Sequence, residues 1–355
     1  MIHPRGTGAL RCLRTAGAPF VMAAVLAVPL SVFGATAASA HVKWFCAFDV
    51  AGQPRGLENV LCLDFELLSA AAIFFLLAGC FIEGTPLGAA MLRGLDRATA
   101  TLRLHSDLII RAICGFFFVS LWTFGGIILT PELKTTSQLI PWLQLVIAAG
   151  LLSRRTLPLS GIGIAVLFAI GVWNYGAFHL ADYPIFLTIA AYLVLTGLGR
   201  TLFGARPVDV VRIGAAVTLM WASIEKWAYP EWSFPLFISH PNLSLGFDPE
   251  FYMRAAGVVE FTLAFALLWT PLVRRCAAII LTGMFISACF EFGKLDVVGH
   301  SAIIAVLIAI VADNHVPVRE RRAPLLLPPA FAAALAGFLF VYYVGHAMLY
   351  NTAVL

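Results

Sequence analysis

The chain has 355 residues, 61% of them hydrophobic and 12% charged, with a formal net charge of +4. Soluble domains average about 25% charged residues. Here apolar runs of about 20 residues recur from residue 65 onward, which excludes a soluble globular protein and indicates an all-α, polytopic protein of the lipid bilayer. The arginines cluster in short loops between these runs, a topology signal that points away from nucleic acid as a partner.

Residues 1–40 read as a secretory signal peptide. Arg5, Arg11 and Arg14 form a basic start, residues 18–34 are apolar, and Ala38-Ser39-Ala40 fits the small-residue cleavage rule. An uncleaved first membrane helix is the alternative. Cleavage makes His41 the new N-terminus, outside the cytoplasm, and leaves 41–64 as a periplasmic segment.

Ten spans follow, at 65–87, 108–130, 138–153, 157–178, 185–199, 208–228, 252–272, 276–293, 300–312 and 325–349. The loops on one side hold twelve arginines and the opposite side six basic residues. The positive-inside rule then places both mature termini on the periplasmic face of a bacterial inner membrane. Residues 65–107 form a first span and its cytoplasmic loop. Residues 108–207 and 208–313 form two four-helix units in parallel orientation. Residues 314–355 form a cytoplasmic loop and the last span. The two units open alike, on Asp107-Leu-Ile-Ile-Arg111 and Asp209-Val-Val-Arg212, and parallel repeats are one way to build membrane proteins.

The chemistry concentrates in 219–300. Glu225, Lys226, Arg254, Glu260, Glu291, Lys294, Asp296 and His300 fall near the outer edge of predicted helices. A charge at bilayer depth costs roughly 2.5–3.5 kcal/mol on insertion scales, so this grouping marks the candidate site. Glu260 lies roughly 12 Å below its helix end at 1.5 Å per residue. It must be paired, protonated or beside a water-filled cavity. Glu291 and Lys294 share a helix face, and Trp221, Trp227 and Trp232 surround the group as interfacial aromatics do. Such a pocket suits a quinone headgroup, which needs donors to its carbonyls and a proton carrier of adjustable pKa. Structural ion pairs that lock helices together are the plainer alternative.

A second constellation is metal-like. An N-terminal His41 offers copper an amine and an imidazole, and His179, His240, His300 and His346 are also expected on the outer side. With Asp182 and Asp296 they make a copper or zinc site conceivable, although no tight ligand spacing supports one. Cys46 and Cys62 flank a short segment in an oxidising compartment. A disulfide is expected there, worth roughly 3 kcal/mol. Cys80, Cys114, Cys276 and Cys289 read as small apolar fillers.

The second unit resembles the DoxX family of four-helix membrane proteins. The resemblance rests on the span pattern, on EKWAYPEW at 225–232, on Gly257-Val-Val-Glu260, and on GKLDVVGH at 293–300. It covers about a third of the chain, or two thirds if the repeat is counted. It implies membrane redox work with quinone or with a small sulfur or thiol compound. The extra first and last spans and the export signal depart from the family's compact unit. In this reading Glu260 and Glu291 handle protons. Lys226, Glu225, Lys294, Asp296, His300 and Arg254 bind the polar headgroup. Metal handling or ion transport through the same pocket is a second function class. A structural subunit among respiratory or redox partners is a third.

Overall fold

The computed structural model describes residues 43, 45–128, 133–315 and 324–352. The signal peptide and His41 lie outside the described residues. Among those described, the chain is all-helical, with fourteen α-helices, short 3₁₀ turns and two isolated bridges in place of strands. Eleven helices carry the architecture: α1 Leu63–Glu83, α2 Pro86–Ala98, α3 Ala100–Phe124, α4 Leu139–Gly150, α5 Leu157–Tyr175, α6 Pro184–Leu198, α7 Pro207–Ala228, α8 Pro249–Ala266, α9 Pro271–Phe292, α10 Lys294–Ala312 and α11 Leu327–Tyr350.

Seven of these are long and apolar enough to cross a membrane: α1, α3, α5, α7, α9, α10, and α11 with its 3₁₀ lead-in. They mark a multi-pass membrane protein. The other three predicted spans fall short for different reasons. Helix α4 has 12 residues and α6 has 15, about 18 and 22 Å of rise against a hydrocarbon core of about 30 Å. Helix α8 is long enough at 18 residues but carries Glu250, Arg254 and Glu260. The predicted loop at 88–107 is itself helical, because α2 and the first turns of α3 continue through it. Polar ends conceal such turns from a reading of hydropathy.

The helix starts are written locally. Pro stands in the first turn of α2, α5, α6, α7, α8 and α9, where its missing N–H costs nothing. The Thr85 hydroxyl accepts from Gly88 N at 3.2 Å, and Asp248 accepts from Glu250 N and Phe251 N at 3.0 and 3.1 Å. These bonds satisfy donors that a helix leaves open at its start.

Helix α7 is the central element. It packs against α6, α8, α10 and α11. One side of the molecule runs α3–α4–α5–α6–α7, and α10 closes this row back onto α3. The other side packs α8 on α7 and α1, with α9 between α8 and α10. At the α7–α8 crossing the backbone of Gly257 lies against Trp227: a Cβ there would come within 2.3 Å of the indole nitrogen. Phe117, Phe118, Phe261 and Phe331 fill the interior, while Phe74, Phe75, Trp142, Phe290 and Phe340 face outward on an apolar surface suited to lipid.

Ionic contacts gather at both ends of the bundle. At the arginine-rich end, Arg275 lies 2.6 Å from Asp96 and donates to Thr99 and to Val311 O. Arg206 meets Asp209 at 2.9 Å and Asp313 at 2.8 Å. Burial opposes ionisation of Asp313, but the guanidinium of Arg206, aided by Arg274, outweighs it and holds this carboxyl below its ordinary value. Glu83 accepts from Leu272 N at 3.0 Å. It thus serves the start of α9.

Candidate functional site

At the opposite end, the ends of α7, α8, α9 and α10 enclose a cavity of about 70 Å³ for the centres of water molecules, within about 840 Å³ of unfilled space that includes its mouth. That is room for several ordered waters, and the unfilled space falls in the range of small-molecule sites. Glu225, Lys226, Glu260 and His300 line it, together with Lys43, Tyr229 and Trp232. Tyr183, Phe186, Met253 and Phe285 supply apolar wall.

Two lysine–carboxylate clusters stand in this wall. Lys226 Nζ lies 2.6 Å from Glu260 Oε2, and both side chains are almost fully buried. Glu260 is therefore both paired and beside a cavity, as its depth requires. Lys43 comes from the segment before α1, is 2% exposed at its side chain, and contacts two carboxylates. It is bonded to Asp182 and lies 2.6 Å from Glu225 Oε1. Its ammonium also stands over the rings of Phe48 and Trp232, at 5.7 and 5.6 Å. Isolated buried charges cost many kcal/mol, and here each buried lysine stands against at least one carboxylate.

The polar segment around Lys43 is fastened over this end. Tyr229 stacks on Trp232, with centroids 4.1 Å apart, and its hydroxyl donates to Gly52 O at 2.8 Å. Burial, reinforced by the negative charge of Glu225, pushes the Tyr229 hydroxyl above its ordinary pKa and keeps it a donor. His346 Nε2 lies 2.8 Å from Val50 O, and Tyr343 donates to Arg55 O at 2.7 Å.

His300 is held from behind. Its Nδ1 lies 2.9 Å from Asp296 Oδ2, one helical turn away on α10, and Asp296 is fully buried. A carboxylate on one ring nitrogen fixes the imidazole's orientation. Cys289, Asp296 and His300 present donor atoms that all lie within 4.8 Å of one another.

The other predicted site residues lie elsewhere. Glu291 is exposed and pairs with His240 at 2.9 Å. Lys294, the first residue of α10, is exposed. Neither lines the cavity, because the chain turns sharply at Gly293 and their helix ends point outward. Arg254 pairs with Glu250 at 3.1 Å and with Asp64 at 3.4 Å, on the rim beside Arg55. Trp221 packs against Phe178 and Tyr342, and Trp227 against Phe65 and Phe261, so of the three tryptophans only Trp232 reaches the cavity wall.

The expected histidine-rich metal grouping does not assemble among the described residues. His179 sits against Phe48, His240 against Glu291 and His346 against Tyr229, each in its own surroundings. The expected disulfide is also absent. Cys46 and Cys62 are both free thiols. Cys46 packs beside Leu236 and Leu243 while Cys62 packs into the main core at the start of α1, so the chain between them places them in different clusters. Burial raises the Cys46 thiol above its ordinary pKa.

The wall residue Lys43 and the buried Asp182 behind it are a pair that sequence reasoning missed. They are 139 positions apart, and neither sits in the anomalous stretch at 219–300. Comparison with family models, with characterised proteins and with solved structures finds no match for this chain.

Proposed function

We propose that this membrane protein is a DoxX-like redox component whose cavity takes the headgroup of a quinone. The observation that supports this most is the composition of the cavity wall. Buried lysine–carboxylate contacts and an aspartate-held histidine stand beside aromatic and aliphatic surface. A quinone presents that same mixture, with two carbonyls on a flat apolar ring. Lys226 and His300 would offer donors to a carbonyl. Glu260 would relay a proton, because its pairing with Lys226 can be exchanged for contact with the bound ligand.

The reaction class follows from balance. A quinone becomes a quinol by gaining two electrons and two protons. Two thiols that join in a disulfide release the same number of each. A small thiol or sulfur compound, or a respiratory partner subunit, would supply the electrons. In this reading the cavity faces the periplasm, the mature termini share that side, the short helices α4 and α6 and the charged α8 complete ten spans, and the two four-helix units are related by repetition. Copper at the mature His41, ion transport through the cavity, and a purely structural role in a respiratory complex are the competing readings.

Organic extraction of detergent-purified protein tests the proposal. It should release quinone, and an added short-chain quinone should quench Trp232 fluorescence saturably. Glu260→Gln and Lys226→Ala should each weaken that binding by at least about tenfold, the worth of one polar contact of about 1.4 kcal/mol. No quinone in the extract together with no saturable quenching would remove the reading.

A further inference from the structure

We propose that Cys289, Asp296 and His300 form a binding site for a zinc-class divalent cation behind the cavity wall, which His300 alone of the three reaches. The inference goes beyond the redox reading and does not depend on a quinone.

Three observations point to a cation. The first is the donor set. A thiol from α9 and, one turn apart on α10, a carboxylate and an imidazole place their donor atoms within 4.8 Å of one another. In a tetrahedral shell with bonds of about 2.0–2.3 Å, neighbouring donors stand about 3.5 Å apart. Drawing the three onto one ion therefore takes shifts of about 1 Å. The second is an under-satisfied atom. Asp296 is fully buried and its Oδ2 faces His300, yet Oδ1 has no nitrogen or oxygen donor, and the weakly donating Cys289 thiol is the other group bonding this carboxyl. A buried carboxylate oxygen without such a donor is costly, and a cation between these side chains would satisfy it. The third is charge. A thiolate, a carboxylate and a neutral imidazole together carry two negative charges, which a divalent ion cancels inside a low-dielectric wall.

The local backbone serves this geometry. Gly293 adopts φ 76° and ψ −148° between α9 and α10, a region essentially reserved for glycine. That turn brings the last turn of α9, which carries Cys289, onto the first turns of α10. Thiolate and imidazole together select zinc-like ions over magnesium or calcium. Three protein ligands are the pattern of sites that keep a further position open. His300 also lines the cavity, so the ion would border whatever the cavity holds.

The test uses the full mature protein, purified in detergent and stripped with a chelator, with Co²⁺ alone as the probe. One Co²⁺ per chain should bind, displaceable by Zn²⁺, with a near-ultraviolet thiolate-to-cobalt charge-transfer band. Cys289→Ser should abolish the band, and Asp296→Asn should weaken affinity by more than about 100-fold, since even the supporting partners of metal ligands are worth 10- to 100-fold. Cys62→Ser and His41→Ala should leave both unchanged. Zn²⁺ should also slow maleimide alkylation of Cys289, read by peptide mass, but not that of Cys62; this readout needs no variant to fold. Absence of saturable Co²⁺ binding, a band that survives Cys289→Ser, unprotected Cys289, or binding lost only in His41→Ala would each overturn the site. Every readout is made without quinone, so the redox reading stands or falls separately.

Discussion

Lys226 Nζ lies 2.6 Å from Glu260 Oε2, so one ion pair both ties α7 to α8 and forms part of the cavity wall. The charges are close to fully buried, and a buried pair is dangerous to break. Removing one partner leaves the other desolvated and alone, at about 3–5 kcal/mol, whereas replacing both with apolar residues of similar volume is often neutral. Lys226→Met and Glu260→Leu should therefore each lower thermal stability in detergent by an amount in that range. The double variant should recover most of it. Additive losses in this cycle would mean that the two groups do not interact.

Lys43 draws Asp182 and Glu225 together from the segment ahead of α1. Lys43→Ala leaves a fully buried Asp182 without its ammonium and removes one of the ties over the cavity mouth. Residues 45–60 should become markedly more sensitive to limited proteolysis, while α5 and α6 stay protected. Identical cleavage patterns for both proteins would show that the segment is held by Tyr229, Tyr343 and His346 alone.

Gly293 joins α9 to α10 at φ 76°. A Cβ there meets nothing within 4 Å, so the cost of Gly293→Ala is backbone strain, about 1–3 kcal/mol. The variant should melt lower than the parent, and Co²⁺ affinity should fall with it because the turn positions Cys289 against His300. Gly283→Ala, at a helical position equally free of neighbours, should do neither, which separates strain from packing.

Asp313 supplies the pH dependence. Its carboxyl is held below the ordinary value of 3.8 in the folded protein, so ionisation favours the folded state. The stabilisation is complete above about pH 3.8 and declines as pH falls toward the lowered folded-state value, where both states bind the proton. Melting temperature measured downward from pH 5 should fall more steeply for the parent than for Asp313→Asn, which lacks the group. Parallel curves would show that Arg206 does not discriminate between the two states.

Much of this site was legible in the sequence because charge inside an apolar run is an anomaly. Glu225, Lys226, Glu260 and His300 stood out on that ground alone, and all four line the cavity. Glu291, Lys294 and Arg254 stood out for the same reason, yet they face the rim or the exterior. Depth along a helix can be counted from residue spacing; the direction of a side chain depends on which neighbouring helix it meets. Cys289 shows the limit most sharply. On its own helix it reads as an apolar filler, and only the turn at Gly293 sets it against Asp296 and His300.

The sequence by itself determined the class of the molecule, the apolar helices it placed at 208–228, 276–293 and 325–349, each within a few residues of the helix observed, and the end of the bundle where polar chemistry collects. Those properties are local, fixed by hydropathy, by prolines in first turns and by arginines at one side. Only the tertiary structure decided that Lys43 reaches Asp182 across 139 positions, that Cys46 and Cys62 occupy different clusters, and that α4 and α6 stop at 12 and 15 residues. These depend on how helices pack around α7. Packing is a sum of many weak contacts between distant positions, and no single stretch of chain encodes it.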